Sequence, residues 1–207
     1  MDNAGEKRLH HTRSDGPSPW VARFAGLAPK GSQVLDLACG GGRNGRLFLA
    51  RGHAVTLLDR DVGHVQDLKR EAGPEIIEAD LESGAPVFEG SGPLAGRRFG
   101  AIVVVNYLHR PLLVPLVQAI EAGGLLLYET FARGNEAYSR PRNPDFLLKS
   151  GELLDLVRGR MHVVAYEHGL IAEDGGPGVK QRIAAVKDAG GSLRADGEPS
   201  PQLLAPE

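Results

Sequence analysis

The sequence predicts a doubly wound α/β fold in which a mostly parallel sheet ends in an antiparallel hairpin. Three observations carry this reading. Short runs that are apolar on both faces alternate with helical patterns, as in a sheet covered by helices on both sides. A glycine-rich stretch follows the first run directly. The last two runs are joined by a turn too short for a crossover helix, so they must pair antiparallel. The 207 residues suffice for one domain with its own core. Its 28 glycines and 14 prolines stay below the share that marks a disordered polymer.

Taken in order, residues 1–16 are polar and are expected to form a flexible tail, followed by one domain over 17–187. Trp20, Phe24 and Leu27 recur at helical spacing after Ser18. Strands are expected at 33–38, 53–58, 75–79, 99–105 and 123–129. Helices are expected between them at 43–51, 62–71 and 113–121, with Pro111 and Pro115 disturbing the start of the last. Ser150 is placed to cap a helix over 152–158. A strand over 161–171, the turn residues Asp174-Gly-Gly-Pro-Gly and a strand over 179–187 complete a seven-stranded sheet. Residues 188–207, rich in Gly, Pro, Ser and charge, read as a second flexible tail.

The chemistry concentrates in Asp36-Leu-Ala-Cys-Gly-Gly-Gly-Arg-Asn-Gly45. Glycines after a buried strand let the backbone approach a ligand and adopt positive φ. The helix that follows presents unpaired N–H groups, which favour an anion. The second strand ends in Asp59, placed to accept from a ribose, and the third ends in Asp80. Gly40, Gly42 and Gly45 also satisfy the dinucleotide pattern G-x-G-x-x-G. Asp36 opposes that alternative, because a carboxylate so close repels a pyrophosphate. It suits a ligand with both an ammonium and a carboxylate, such as S-adenosylmethionine (SAM). The terminal hairpin is likewise foreign to a dinucleotide half-fold.

In VLDLACGGGRNG, in LLD at 57–59 and in IIEADLE at 76–82, the chain resembles the class I SAM-dependent methyltransferases. Among these it is nearest the small bacterial tellurite/thiol methyltransferase-like group. The resemblance covers about residues 17–187 and implies the Rossmann-like methyltransferase fold, SAM as cofactor and S-adenosylhomocysteine as product. It implies that Asp36 holds the methionine ammonium, directly or through water. The backbone of Ala38, Gly40 and Gly42 would line the methionine and ribose, and Asp59 would take the ribose hydroxyls. Asp80 would accept from the adenine amine with Leu81 nearby, and Asn106 would face the transferred methyl. Ala38 stands where the family has its first glycine, and ordinary strand geometry is expected there.

Asn106, His109 and Glu129 are the candidate catalytic residues, the last two as general bases. Tyr107, Arg133 and Arg140 are candidates for holding the acceptor. Arg133, Arg140 and Arg142 lie in the long segment 130–149, which is expected to act as a lid and to admit an anionic acceptor. A small-molecule acceptor is the default, since there is no appended nucleic-acid module and the net charge is −2. Cys39 is the only cysteine, which excludes an intrachain disulfide and a multi-thiolate zinc site. No metal site is expected. No apolar run approaches the ~20 residues needed to cross a bilayer, and the N-terminus lacks a secretory pattern, so a cytoplasmic location is expected. The competing functions are an NAD(P)-dependent oxidoreductase and a non-catalytic SAM-binding protein.

Overall fold

Seven strands form one sheet: β1 (Gln33–Leu37), β2 (Ala54–Asp59), β3 (Glu75–Glu78), β4 (Phe99–Val105), β5 (Ile120–Phe131), β6 (His162–Glu173) and β7 (Gly176–Val186). The computed structural model describes residues 16–69, 73–173, 176–189, 194, 196 and 198–202. Of the expected tails, 1–16 lies outside the described residues except for Gly16, and 188–207 is described only in part. The strand order is β3-β2-β1-β4-β5-β7-β6. β1 to β5 run parallel, and β7 inserts antiparallel between β5 and β6. This is the seven-stranded, mostly parallel sheet with an antiparallel end that the apolar runs and the short last turn predict.

Alternation along each strand sends side chains to two separate cores, one on each face. Val34, Leu57, Val103 and Leu127 pack with Trp20 and Phe24 of α1 (Pro19–Phe24) and Phe48 of α2 (Arg43–Ala50). Leu37, Ile102, Val104, Leu126 and Tyr128 pack with Leu116 of α3 (Leu113–Gln118) and Leu153 of α4 (Glu152–Val157). Ser18 caps α1, its Oγ accepting from Val21 N, and Trp20 Nε1 donates to the Ile183 carbonyl. Trp20 is thus a core anchor.

Four local expectations need correction. The segment expected as a helix over 62–71 forms a 3₁₀-helix at Gly63–Leu68, where Val65 and Leu68 are both buried. A spacing of three between anchors fits the tighter 3₁₀ turn. The helix expected over 113–121 stops at Gln118, because β5 begins at Ile120 and passes through Gly123 and Gly124. The N-cap of α4 is Gly151 at φ +74, not Ser150. There the Glu152 carboxylate reaches back to Lys149 N at 2.7 Å and supplies the capping acceptor. Finally, segment 130–149 is fastened rather than free. Ala132 bridges Leu148, and Arg133 N donates to the Leu148 carbonyl at 3.0 Å. Arg110 donates to the carbonyls of Asp145 and Leu147 and to both oxygens of Glu152. Buried Asn135 holds Ser139, Pro141 and Val179, and buried Gln181 holds Lys149.

Candidate functional site

The parallel strands end at one edge of the sheet, where loops diverge on either side of β1 and leave a crevice. A cavity of ≈ 330 Å³ opens there, lined by Ala38, Asp59, Arg60, Ala79, Asp80, Leu81, Glu82, Asn106 and Tyr107. Six of these are site candidates from the sequence, drawn from the ends of four strands, β1 to β4, or the turns after them. Arg60, Ala79 and Glu82 were not. They adjoin Asp59 and Asp80 in the chain, so their position beside those carboxylates was the available signal.

The glycine loop follows β1 and doubles back onto α2. Gly42 is its N-cap at φ +70, a left-handed conformation that favours glycine. Gly45 serves a different end. A Cβ there would collide with Leu57 Cδ2, so glycine lets α2 lie directly on the sheet. Ala38 is the departure. It adopts φ +54 rather than ordinary strand geometry, because the chain leaves β1 through the left-handed turn that glycine would take without strain. Ala38→Gly should therefore stabilise the fold by about 0.5–1 kcal/mol, after allowing for glycine's freer unfolded state. Chemical denaturation reads this as a higher midpoint at constant slope. An unchanged or lower midpoint would mean that the turn is not strained.

Asp59 closes β2 with both carboxylate oxygens fixed. Oδ2 accepts from Gly40 N at 2.7 Å and Oδ1 from Asp61 N at 3.1 Å. Each oxygen keeps a lone pair for a ligand, and rotation of the group is blocked. Asp80 is held likewise, its Oδ1 accepting from Glu82 N at 2.9 Å. Leu81 is 6% exposed and supplies the apolar wall between them. Asn106, directly after β4, sits at φ +57, which asparagine tolerates well, and its N–H donates to the Glu129 carbonyl at 2.9 Å. The adjoining Tyr107 carbonyl accepts from Tyr128 Oη at 2.9 Å, which pins the cavity wall to the core. Burial, reinforced by the neighbouring Glu82 charge, pushes the Tyr107 hydroxyl pKa up, so it remains a neutral group in the cavity wall.

Other expected site residues lie apart from this wall. Asp36 is 1% exposed and sits behind the loop, its Oδ2 accepting from Gly45 N at 2.7 Å. Burial raises its pKa to about 7 against the lowering effect of that hydrogen bond and of Arg43. Gly40 and Gly42 shape the loop but are not among the cavity's lining residues. His109 precedes a 3₁₀ turn outside the cavity. Arg133 and Arg140 are exposed and do not line this cavity. Glu129 is buried near the end of β5, one strand over from Val105. Burial pushes the Cys39 thiol pKa up, and the charges of Asp36 and Asp59 add to that, which disfavours a nucleophilic thiolate.

No family model matches the sequence. The chain is 28% identical over 152 residues to a malonyl-[acyl-carrier protein] O-methyltransferase of Serratia marcescens, spanning 72% of this chain and 58% of that protein. Among solved structures it is similar to TehB from Haemophilus influenzae (TM-score 0.64, 17% identity, 82% of this chain and 61% of that one). It is also similar to an S-adenosylmethionine-dependent methyltransferase from Mesorhizobium loti (TM-score 0.61, 19% identity, 84% of this chain and 99% of that one). The chain thus spans less than two thirds of the Serratia and Haemophilus proteins. These likenesses show the Rossmann-like methyltransferase fold and agree with the class I resemblance read from the glycine loop.

Proposed function

We propose that this chain, whose fold is that of SAM-dependent methyltransferases, binds SAM across the cavity and transfers its methyl group to a small-molecule acceptor. The observation that carries this reading is the charge of the cavity wall. Asp59, Asp80 and Glu82 face a single lining cation, Arg60. With Asp36 buried behind the loop, the site favours a cationic ligand and disfavours a pyrophosphate. This places the oxidoreductase alternative second, despite the G-x-G-x-x-G match.

SAM, when bound, supplies a methyl group already activated by a sulfonium charge. The chain's part is therefore positioning. Asp59, pre-oriented by Gly40 and Asp61, accepts from the two ribose hydroxyls. Asp80 accepts from the adenine amine, and Leu81 packs against the base. The backbone at Ala38, Gly40 and Gly42 receives the methionine portion. Asp36 acts on the ammonium through its field, from beneath the loop, rather than by contact. Asn106 stands at the acceptor end, with Tyr107 beside it.

No helix among the described residues is long and apolar enough to cross a membrane, and a cytoplasmic enzyme acting on a diffusible acceptor accords with that. The test is transfer of label from SAM carrying a labelled methyl group to a panel of small alcohols, amines, thiols and carboxylates. Transfer to at least one class is the expected result. Tight SAM binding with no transfer to any class would instead favour a non-catalytic SAM-binding protein.

A further inference from the structure

Among the described residues, Glu129 is the one buried charged group with neither side-chain oxygen hydrogen-bonded. Glu129 is 1% exposed, and neither of its oxygens has a hydrogen-bond partner among the described residues. Lys180 on β7 faces it with Nζ 3.5 Å from Oε1, an ion-pair distance without hydrogen-bond geometry. The Lys180 side chain is only 12% exposed and lies over the Phe131 ring. Among the described residues the other ion pairs with a half-buried or buried partner close to hydrogen-bond distance, and the one wider pair, Arg23–Glu167 at 3.7 Å, is exposed on both sides. Arg110 grips both oxygens of Glu152 at 2.7 and 3.0 Å, and Arg182 meets Glu167 at 2.7 Å. A buried carboxylate without donors is costly, and a purely structural pair would close in the same way. Glu129 is instead left with open acceptor sites.

Its position gives those sites a use. The Glu129 carbonyl accepts from the N–H of Asn106, which lines the cavity, and Glu129 pairs with Val105 in register. The carboxylate therefore sits one strand beyond the wall assigned to the methyl end of the cofactor. It lies on the sheet face that carries Leu125, Leu127, Trp20 and Phe24. His109, the other candidate base, precedes the 3₁₀ turn at Arg110–Leu112 and is only half-buried.

We infer that Glu129, held by Lys180, is the acceptor-binding residue, and that the acceptor carries an N–H or O–H group rather than an anionic one. This rests on the SAM-dependent reading of the cavity. It replaces the anionic acceptor suggested by Arg133 and Arg140, which are exposed outside the cavity. In the step it implies, the acceptor's proton passes to a Glu129 oxygen and frees a lone pair. That lone pair forms the new bond to the methyl carbon, while the S–CH₃ electron pair stays on sulfur. The Lys180 ammonium balances the carboxylate charge before the proton arrives.

The test uses the full chain saturated with S-adenosylhomocysteine and three probes of matched shape: benzylamine, benzyl alcohol and benzoate. Calorimetry should show benzylamine and benzyl alcohol binding, with benzoate weakest. Glu129→Gln should weaken benzylamine by at least about thirty-fold and leave S-adenosylhomocysteine affinity unchanged. Because Glu129→Gln removes the carboxylate that faces Lys180, the variant E129Q/K180Q, which removes both charges, is measured beside it and should show the same loss. Preference for benzoate overturns the inference, as does an identical response of wild type and variants to all three probes. Failure of the wild type to bind S-adenosylhomocysteine at all would overturn the SAM reading of the cavity instead.

Discussion

Asp59→Ala should weaken SAM binding about ten- to a hundred-fold in a protein that still folds. Two effects combine. The ribose hydroxyls lose a bidentate acceptor, worth about 1–3 kcal/mol when buried partners are left unpaired. The Gly40 amide also loses the acceptor that holds it at 2.7 Å, so the glycine loop is no longer fixed beside the ribose. Asp59→Asn retains one acceptor oxygen and should fall between the two. Calorimetric titration of the three proteins checks the order. Wild-type affinity in a folded Asp59→Ala protein would remove Asp59 from the cofactor site.

The second large effect is a dependence of stability on pH that comes from Asp36. Burial raises its pKa from 3.8 to about 7 in the folded state. The folded protein thus holds this proton more tightly than the unfolded chain does. Its stabilising effect is complete below about pH 4 and is lost as pH rises through about 7, a change on the order of 4 kcal/mol. Asp36→Asn carries no such proton, so its stability should be flatter over this interval, and the two curves should diverge between about pH 4 and 7. A cationic ligand favours the ionised carboxylate. Wild-type affinity for SAM should therefore rise across the same window, and that of Asp36→Asn should not. Parallel curves for the two proteins would show that Asp36 is already ionised throughout and that its charge is met by other means.

Much of this architecture is legible in the sequence because its strands are buried on both faces. QVLDLA, FGAIVVV and GGLLLYE are continuous apolar runs, which can be placed without knowing their neighbours. The short turn after residue 173 settles the antiparallel end in the same local way. The cofactor side is legible for a related reason. In a parallel sheet every strand delivers its carboxyl end to the same edge, so Asp59, Asp80 and Asn106 are brought together by chain rhythm alone.

What escaped the sequence depends on contacts between distant residues or on backbone conformation. Nothing local announces that Ala38 takes a left-handed turn. The loop over 130–149 reads as a lid because its own residues are polar and irregular. Its anchors are Arg110, which precedes it, and Gln181, which lies far beyond it, and neither pairing has a sequence signature. The sequence leaves open whether Asp36 meets the ligand directly or through water, because it does not show that the turn into α2 folds Gly45 N over the carboxylate. The pairing of Glu129 with Lys180 exists only because β7 inserts beside β5, an order that a list of strands does not contain.

The most direct test of the central claim is a side-by-side calorimetric titration of the wild-type protein with SAM, S-adenosylhomocysteine, NADH and NADPH. The acidic wall formed by Asp59, Asp80 and Glu82 predicts saturable binding of SAM and S-adenosylhomocysteine, with no comparable binding of either dinucleotide. Tight binding of NADH or NADPH without binding of SAM would contradict it.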